Sequence, residues 1–174
     1  MKKVIIVING RGGCGKDTVC DIAAKYYPVK NVSSITPIKE LAAQAGWKGE
    51  KDAKSRKMLA DLKQLFTEYN DLCNNYILSE ADSFLESDDN IMFVHIREGA
   101  EIAKFVNSAK DKCLCKTLLI SRKTDNYSNE ALGNSADDCV NDFSYDWTYE
   151  NKADSLEALE KDFMTFFKGA VESL

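Results

Sequence analysis

Arginine and histidine are scarce in this 174-residue chain: four Arg stand against nineteen Lys, and His95 is the single His. Proline is scarcer still, and two Pro with nine Gly exclude a Pro/Gly-rich disordered chain. Long apolar runs are missing. Val4 to Ile8, behind Met1-Lys2-Lys3, stops at Asn9-Gly10-Arg11, too short for a signal-peptide core and far short of a membrane span. The expectation is a cytoplasmic protein with no membrane partner. A basic excess is also missing: the net charge of -5 argues against a surface that coats nucleic acid, although a local cationic pocket stays open. Six Cys show no zinc-finger spacing, since Cys113-Leu114-Cys115 has no matching second pair, and they read as reduced thiols. What is present is enough apolar sequence for one domain with a real core.

Apolar runs alternate with stretches of helical period, the pattern of a parallel sheet with crossover helices. Val4–Ile8, apolar on both faces, reads as a central strand. A helix follows from about Lys16, closed by Pro28, then a weaker strand at 29–33. Thr36-Pro37 reads as an N-cap and first helical position of a helix running to about Ala45. The segment 52–85 is long and helical, with Met58, Leu59, Leu62, Leu65, Phe66, Tyr69, Leu72, Tyr76 and Ile77 in an apolar stripe and possible breaks at Asn70-Asp71 or Asn74-Asn75. Strands are expected at 91–94, 117–120 and 147–149, and helices at 98–107 and after Asp154, where Asp154-x-x-Glu157 resembles a capping box and Leu156, Leu159, Phe163 and Phe166 share a face. The polar stretch 121–145 has a length typical of segments that cover a site.

Between the first strand and the first helix stands Gly10-Arg11-Gly12-Gly13-Cys14-Gly15-Lys16-Asp17-Thr18. Glycines let backbone N–H groups converge on phosphate oxygens, the helix N-terminus aims at the same anion, and Lys16 reaches further phosphates. A cation at a helix N-terminus is electrostatically unfavourable without an anion, so a ligand-free turn explains the glycines but not Lys16. A dinucleotide-binding turn gives Lys16-Asp17-Thr18 no role. Asp17 occupies the place where a Ser or Thr hydroxyl usually meets Mg²⁺; a carboxylate is also a competent ligand for that ion.

The run Asn9-Gly-Arg-Gly-Gly-Cys-Gly-Lys-Asp-Thr-Val-Cys-Asp21 resembles the phosphate-binding loop of the phage-type deoxynucleoside monophosphate kinases, whose loop also reads Gly-Lys-Asp-Thr. Ser33-Ser-Ile-Thr-Pro-Ile-Lys-Glu40, Gly46-Trp47 and Val94-His-Ile-Arg97 are similar to further segments of that group. The resemblance implies a P-loop NTPase fold, with a five-stranded, mostly parallel sheet, helices on both faces, a helical monophosphate-binding region at about 35–87 and a lid at about 122–145, all in one domain spanning 1–174. It implies ATP-dependent phosphoryl transfer to a nucleoside or deoxynucleoside monophosphate, with Mg²⁺ as cofactor. His95 departs from the pattern, standing where the family has Asp, which leaves Asp17, Glu98 or another acid to hold the metal.

Such a reaction is catalysed by positioning and charge neutralisation, so cations are the candidates. Gly10, Gly12, Gly13, Cys14, Gly15, Lys16, Asp17 and Thr18 would bind the ATP phosphates, with Asp17 as metal ligand. Arg97, after the third strand, would clamp the acceptor phosphate bidentately, helped by Lys39 and Arg56, and Arg122 would act from the lid entrance. Arg11 is expected to face solvent. Trp47, Phe66 and Tyr69 are candidates for the base pocket or for core. Two alternatives stand: a P-loop kinase of another small metabolite, and a nucleotide-binding regulatory protein without transfer. Asn151-Lys152-Ala153-Asp154 matches the spacing of a guanine-reading motif, but is taken as fortuitous because Asp154 doubles as a helix cap. A monomer or a homodimer is compatible with the sequence.

Overall fold

The computed structural model describes residues 2–122, 140 and 143–174. Five strands, β1 (Val4–Asn9), β2 (Val29–Ser33), β3 (Ile91–His95), β4 (Leu114–Arg122) and β5 (Trp147–Asn151), form one sheet in the order β2-β3-β1-β4-β5. All four pairings are parallel, so the expectation of a mostly parallel sheet is sharpened. β1 is central because all six of its residues are buried, which only a strand covered on both faces requires. Its side chains alternate between two cores. Val4, Ile6 and Ile8 join Phe93, Leu118, Phe163 and Phe167 beneath α1 (Lys16–Ala24) and the last helix, α6 (Leu156–Glu172). Ile5 and Val7 join Met92, Val94, Phe84 and Phe105 beneath α4 (Leu72–Glu86) and α5 (Gly99–Ala109).

Between β2 and β3 lie three helices, α2 (Thr36–Gln44), α3 (Ala53–Asn70) and α4. The predicted break at Asn70-Asp71 is the real one: Asp71 alone separates α3 from α4, with φ of 55°. Asp52 caps α3, accepting from Ser55 N at 2.7 Å, as its short acceptor side chain favours.

Several local expectations need correction. Thr36 is the first helical residue of α2 and makes no cap; Ile35 precedes it in a helical conformation. Ser155, not Asp154, caps α6, its Oγ accepting from Ala158 N at 3.2 Å. On α6 the buried face carries Leu159, Phe163, Met164, Phe167 and Val171, with Phe166 partly buried at its margin and Leu156 exposed on the first turn. β4 begins three residues before Thr117, since Leu114, Cys115 and Lys116 pair with Val4, Ile5 and Ile6 despite their mixed polarity. Of the expected lid segment, 123–139, 141 and 142 lie outside the described residues.

Candidate active site

The strands of an open parallel sheet present their carboxyl ends to ligands, at the point where successive crossovers run to opposite sides. Here α1 leads from β1 past β3 to β2, whereas α5 leads from β3 across β1 to β4. The loop 10–15 leaves β1 at that point.

Gly10 and Gly15 show why glycine is needed. Gly10 has φ of 149°, and a Cβ there would stand 2.2 Å from Ile120 O and 2.7 Å from Cys14 Sγ. Gly15, the N-cap of α1, has φ of 101°, a region that L side chains avoid. Cys14 is buried in the core below the loop; burial pushes its thiol pKa up, with Lys16 opposing. Arg11 is exposed, as expected. Lys16 folds back over the loop, donating to Gly10 O at 2.6 Å and Arg11 O at 2.9 Å.

Two buried asparagines hold the loop from either side, and the sequence reading gave neither a role. Asn9 is 1% exposed. Its Oδ1 accepts from Gly10 N at 2.8 Å, and its Nδ2 donates to Arg97 O and Tyr145 Oη, both at 2.8 Å. Tyr145 in turn donates to Val140 O at 3.0 Å. Asn9 thus ties the start of the phosphate loop to the backbone of Arg97. Asn151, at the end of β5, donates from Nδ2 to Cys14 O at 3.3 Å and accepts from Ala153 N at 3.2 Å. The match to a guanine-reading motif therefore remains fortuitous for a different reason from the one expected: Asp154 is no cap, and Asn151 turns inward to the loop. The only signal for Asn9 in the sequence is a polar residue closing an all-apolar strand.

His95 closes β3 on the α1 side. Its Nε2 lies 2.8 Å from Asn31 Oδ1 and 3.8 Å from Cys20 Sγ; in the neutral tautomer that donates from Nε2 to Asn31, Nδ1 carries no proton. Nδ1 stands 3.9 Å from Asp17 Oδ1, beyond hydrogen-bond range. Burial holds the imidazole pKa below its usual value; Asp17 opposes this, whereas Lys16, Arg97 and Lys39 reinforce it. Lys16, Asp17, Lys39 and Arg97 thus all act electrostatically on His95, Asp17 from the distance just given. Asp17 is 93% exposed, and Thr18 follows it on the first turn of α1. The exposed Asp17 carboxylate is a chemically suitable ligand for a hard divalent cation, and among the described residues no group of three or more His, Cys, Asp or Glu gathers around one. Glu98 is engaged elsewhere: Lys63 Nζ of α3 lies 2.6 Å from its Oε2.

Arg56 and Arg122 sit at the margins. Arg56 is exposed on α3, seven residues before Lys63 and so on nearly the same helical side, the side that faces Glu98 and the exit of β3. Arg122 is the last residue of β4, exposed and in register with Asn151. Trp47 donates from Nε1 to Glu50 O at 3.1 Å, and Tyr69 is 79% exposed, so Tyr69 is not core.

No family model and no curated protein matches the sequence. Solved structures do. Shikimate kinase from Bacteroides thetaiotaomicron superposes with a TM-score of 0.53 at 16% identity, over 97% of this chain and 98% of that one. Dephospho-CoA kinase from Campylobacter jejuni gives 0.52 at 16% identity, over 97% of each. The chain has the P-loop NTPase fold. TT1252 from Thermus thermophilus is similar to the same degree, with a TM-score of 0.52, 18% identity and 97% and 98% covered. Within that fold, the glycine loop and Lys16 occupy the carboxyl end of the central strand. Among the described residues no helix is long and apolar enough to cross a membrane.

Proposed function

We propose that the chain transfers the terminal phosphoryl group of ATP to a nucleoside or deoxynucleoside monophosphate. The observation that carries this reading is the glycine loop that opens α1 at the carboxyl end of the central strand, with Lys16 folded over it; Lys39, Arg97 and Asp17 act electrostatically on His95 at the end of the neighbouring β3. Loop N–H groups and the α1 N-terminus would hold the donor phosphates. Lys16 would leave the carbonyls of Gly10 and Arg11 for the β- and γ-oxygens. Arg97, its backbone fixed by Asn9, would grip the acceptor phosphate bidentately, with Lys39 alongside and Arg56 approaching from α3. An acceptor oxygen then attacks the γ-phosphorus in line, the bond to the β-phosphate oxygen breaks, and the electron pair stays on ADP. Arg122 would neutralise charge on the donor side. Asp17 and Thr18 would hold Mg²⁺, which supplies charge neutralisation between the donor phosphates when bound.

His95 favours a second reading, a kinase of a hydroxylated metabolite. With Nε2 donating to Asn31, its Nδ1 is a proton acceptor that a hydroxyl nucleophile needs and a phosphate nucleophile does not. Shikimate kinase and dephospho-CoA kinase share the fold.

The test is ADP release from Mg·ATP with a panel of ribo- and deoxyribonucleoside monophosphates and a second panel of hydroxylated metabolites, against a no-acceptor control. At least one monophosphate is expected to stimulate turnover, Lys16→Ala to abolish it, and Arg97→Ala to raise the acceptor KM. ATP binding without stimulation by any monophosphate would refute the proposal. Stimulation by hydroxylated metabolites alone would select the second reading, and by neither the regulatory one.

A further inference from the structure

α3 runs for 18 residues and buries none of them, and Leu65 and Tyr69 of its apolar stripe are exposed, so core packing alone does not hold this helix in place. It lies mainly against α2 and α4. Its half-buried side carries Leu59, Lys63 and Phe66, spaced four and three residues apart and so on one face. A Lys in the middle of an inward apolar row needs a partner, because its ammonium gives up water there. Lys63 keeps only 17% of its side-chain surface exposed, and its Nζ lies 2.6 Å from Oε2 of Glu98, on another element.

Glu98 follows Arg97 and stands at the N-cap of α5, where its side chain makes no cap hydrogen bond. The carboxylate serves Lys63 rather than its own helix. The Arg97–Glu98 turn is therefore gripped at both residues: Arg97 O accepts from Asn9 Nδ2 at 2.8 Å, and Glu98 takes the Lys63 ammonium. The result is a continuous tie from the start of the phosphate loop to α3. A second ion pair fixes its register. Asp71, between α3 and α4, has its Oδ2 2.6 Å from Lys104 Nζ on α5, so the cation comes from α3 in one pair and from α5 in the other. Sliding α3 along α5 until Lys63 neared Lys104 would oppose two ammoniums, and pairs of reversed polarity penalise any other register in this way. We propose that Lys63 is a positioning residue, which through Glu98 fixes α3 at a set offset from Arg97. Arg56 lies about 10 Å earlier along the same helix, so the same tie sets where Arg56 stands relative to Arg97 when both approach the acceptor phosphate. That role rests on the reaction proposed above; the tie itself does not.

The test combines two readouts on the full chain. In hydrogen-exchange mass spectrometry without ligand, Lys63→Met keeps the stem and removes the charge; it should speed exchange in segment 96–101 several-fold while α1 and α6 keep parental rates, and Lys63→Arg should restore protection. In steady-state turnover with Mg·ATP and the nucleoside monophosphate panel, Lys63→Met and Glu98→Gln should each raise the acceptor KM about tenfold with kcat within about twofold of the parent. The double variant should do no worse than either single one, because both changes remove one shared interaction. Parental exchange at 96–101 in Lys63→Met, or KM effects that multiply in the double variant, would overturn the proposal. Faster exchange with an unchanged KM would overturn the role in acceptor binding. If the parent turns over no monophosphate, the proposed reaction fails, while the exchange comparison still decides whether Lys63 holds the turn.

Discussion

Replacing Asn9 by Leu tests how the site is held together. The two side chains have nearly the same shape, so the change removes polar contacts without opening a cavity. Three hydrogen bonds are lost, to Gly10 N, Arg97 O and Tyr145 Oη, at a site that is 1% exposed and admits no replacement water. At about 1 kcal/mol per bond the cost is about 3 kcal/mol, a large part of the 5–15 kcal/mol that typically stabilises a domain. With a urea dependence of about 2 kcal/mol per M, the unfolding midpoint should fall by about 1.5 M. Tyr145→Phe also removes its bond to Val140 O and should cost about 2 kcal/mol alone, but only about 1 in the Asn9→Leu background, because the shared bond is already gone. Kinetically the acceptor KM should rise more than kcat falls, since the backbone of Arg97 loses its anchor while Lys16 does not. An Asn9→Leu variant within about 0.5 kcal/mol of the parent, with unchanged acceptor dependence, would refute the reasoning.

Gly10→Ala should leave little folded protein at 37 °C or lower the thermal midpoint sharply, because its Cβ would overlap Ile120 O at 2.2 Å; a normal midpoint by calorimetry would contradict the loop geometry. Asn151→Leu should destabilise the protein by about 1–2 kcal/mol and weaken ATP binding, measured by calorimetric titration, because Cys14 O and Ala153 N lose their partner. The single His gives a clean pH window. Its folded pKa lies below the ordinary 6.5, so the unfolded chain takes up a proton that the folded one refuses. Stability is therefore retained above 6.5 and declines as the pH falls below it, until the folded pKa is reached. Urea midpoints measured from pH 7.5 downward should fall less steeply in His95→Gln; equal slopes would show that His95 is not held neutral.

Much of the fold was legible because its strands are unmixed: Val4–Ile8 and Ile91–Val94 can only be covered on both faces, and β-branched residues between helical periods leave few alternatives to a parallel sheet. The glycine loop was legible because its requirements are backbone requirements, and glycine spells them directly. Asn9 and Asn151 were not, since an asparagine that crosslinks a loop looks like any polar residue at a strand end until the third dimension supplies Arg97 O and Cys14 O. The helix caps were misplaced by one residue because Thr36 and Asp154 are good caps in isolation, and propensity does not say where the chain enters the helix. The stripe on α3 was legible as a period but not as a surface, because a sequence pattern carries no sign for inside and outside.

Lys16 donates to Gly10 O and Arg11 O, so the ammonium has two carbonyl partners within its own loop. A compound with one phosphate offers the ammonium little more than the two carbonyls it would leave, whereas a polyphosphate offers several charged oxygens at once. Drawing Lys16 off both carbonyls should therefore be easier for a ligand that presents several charged oxygens than for one that presents few.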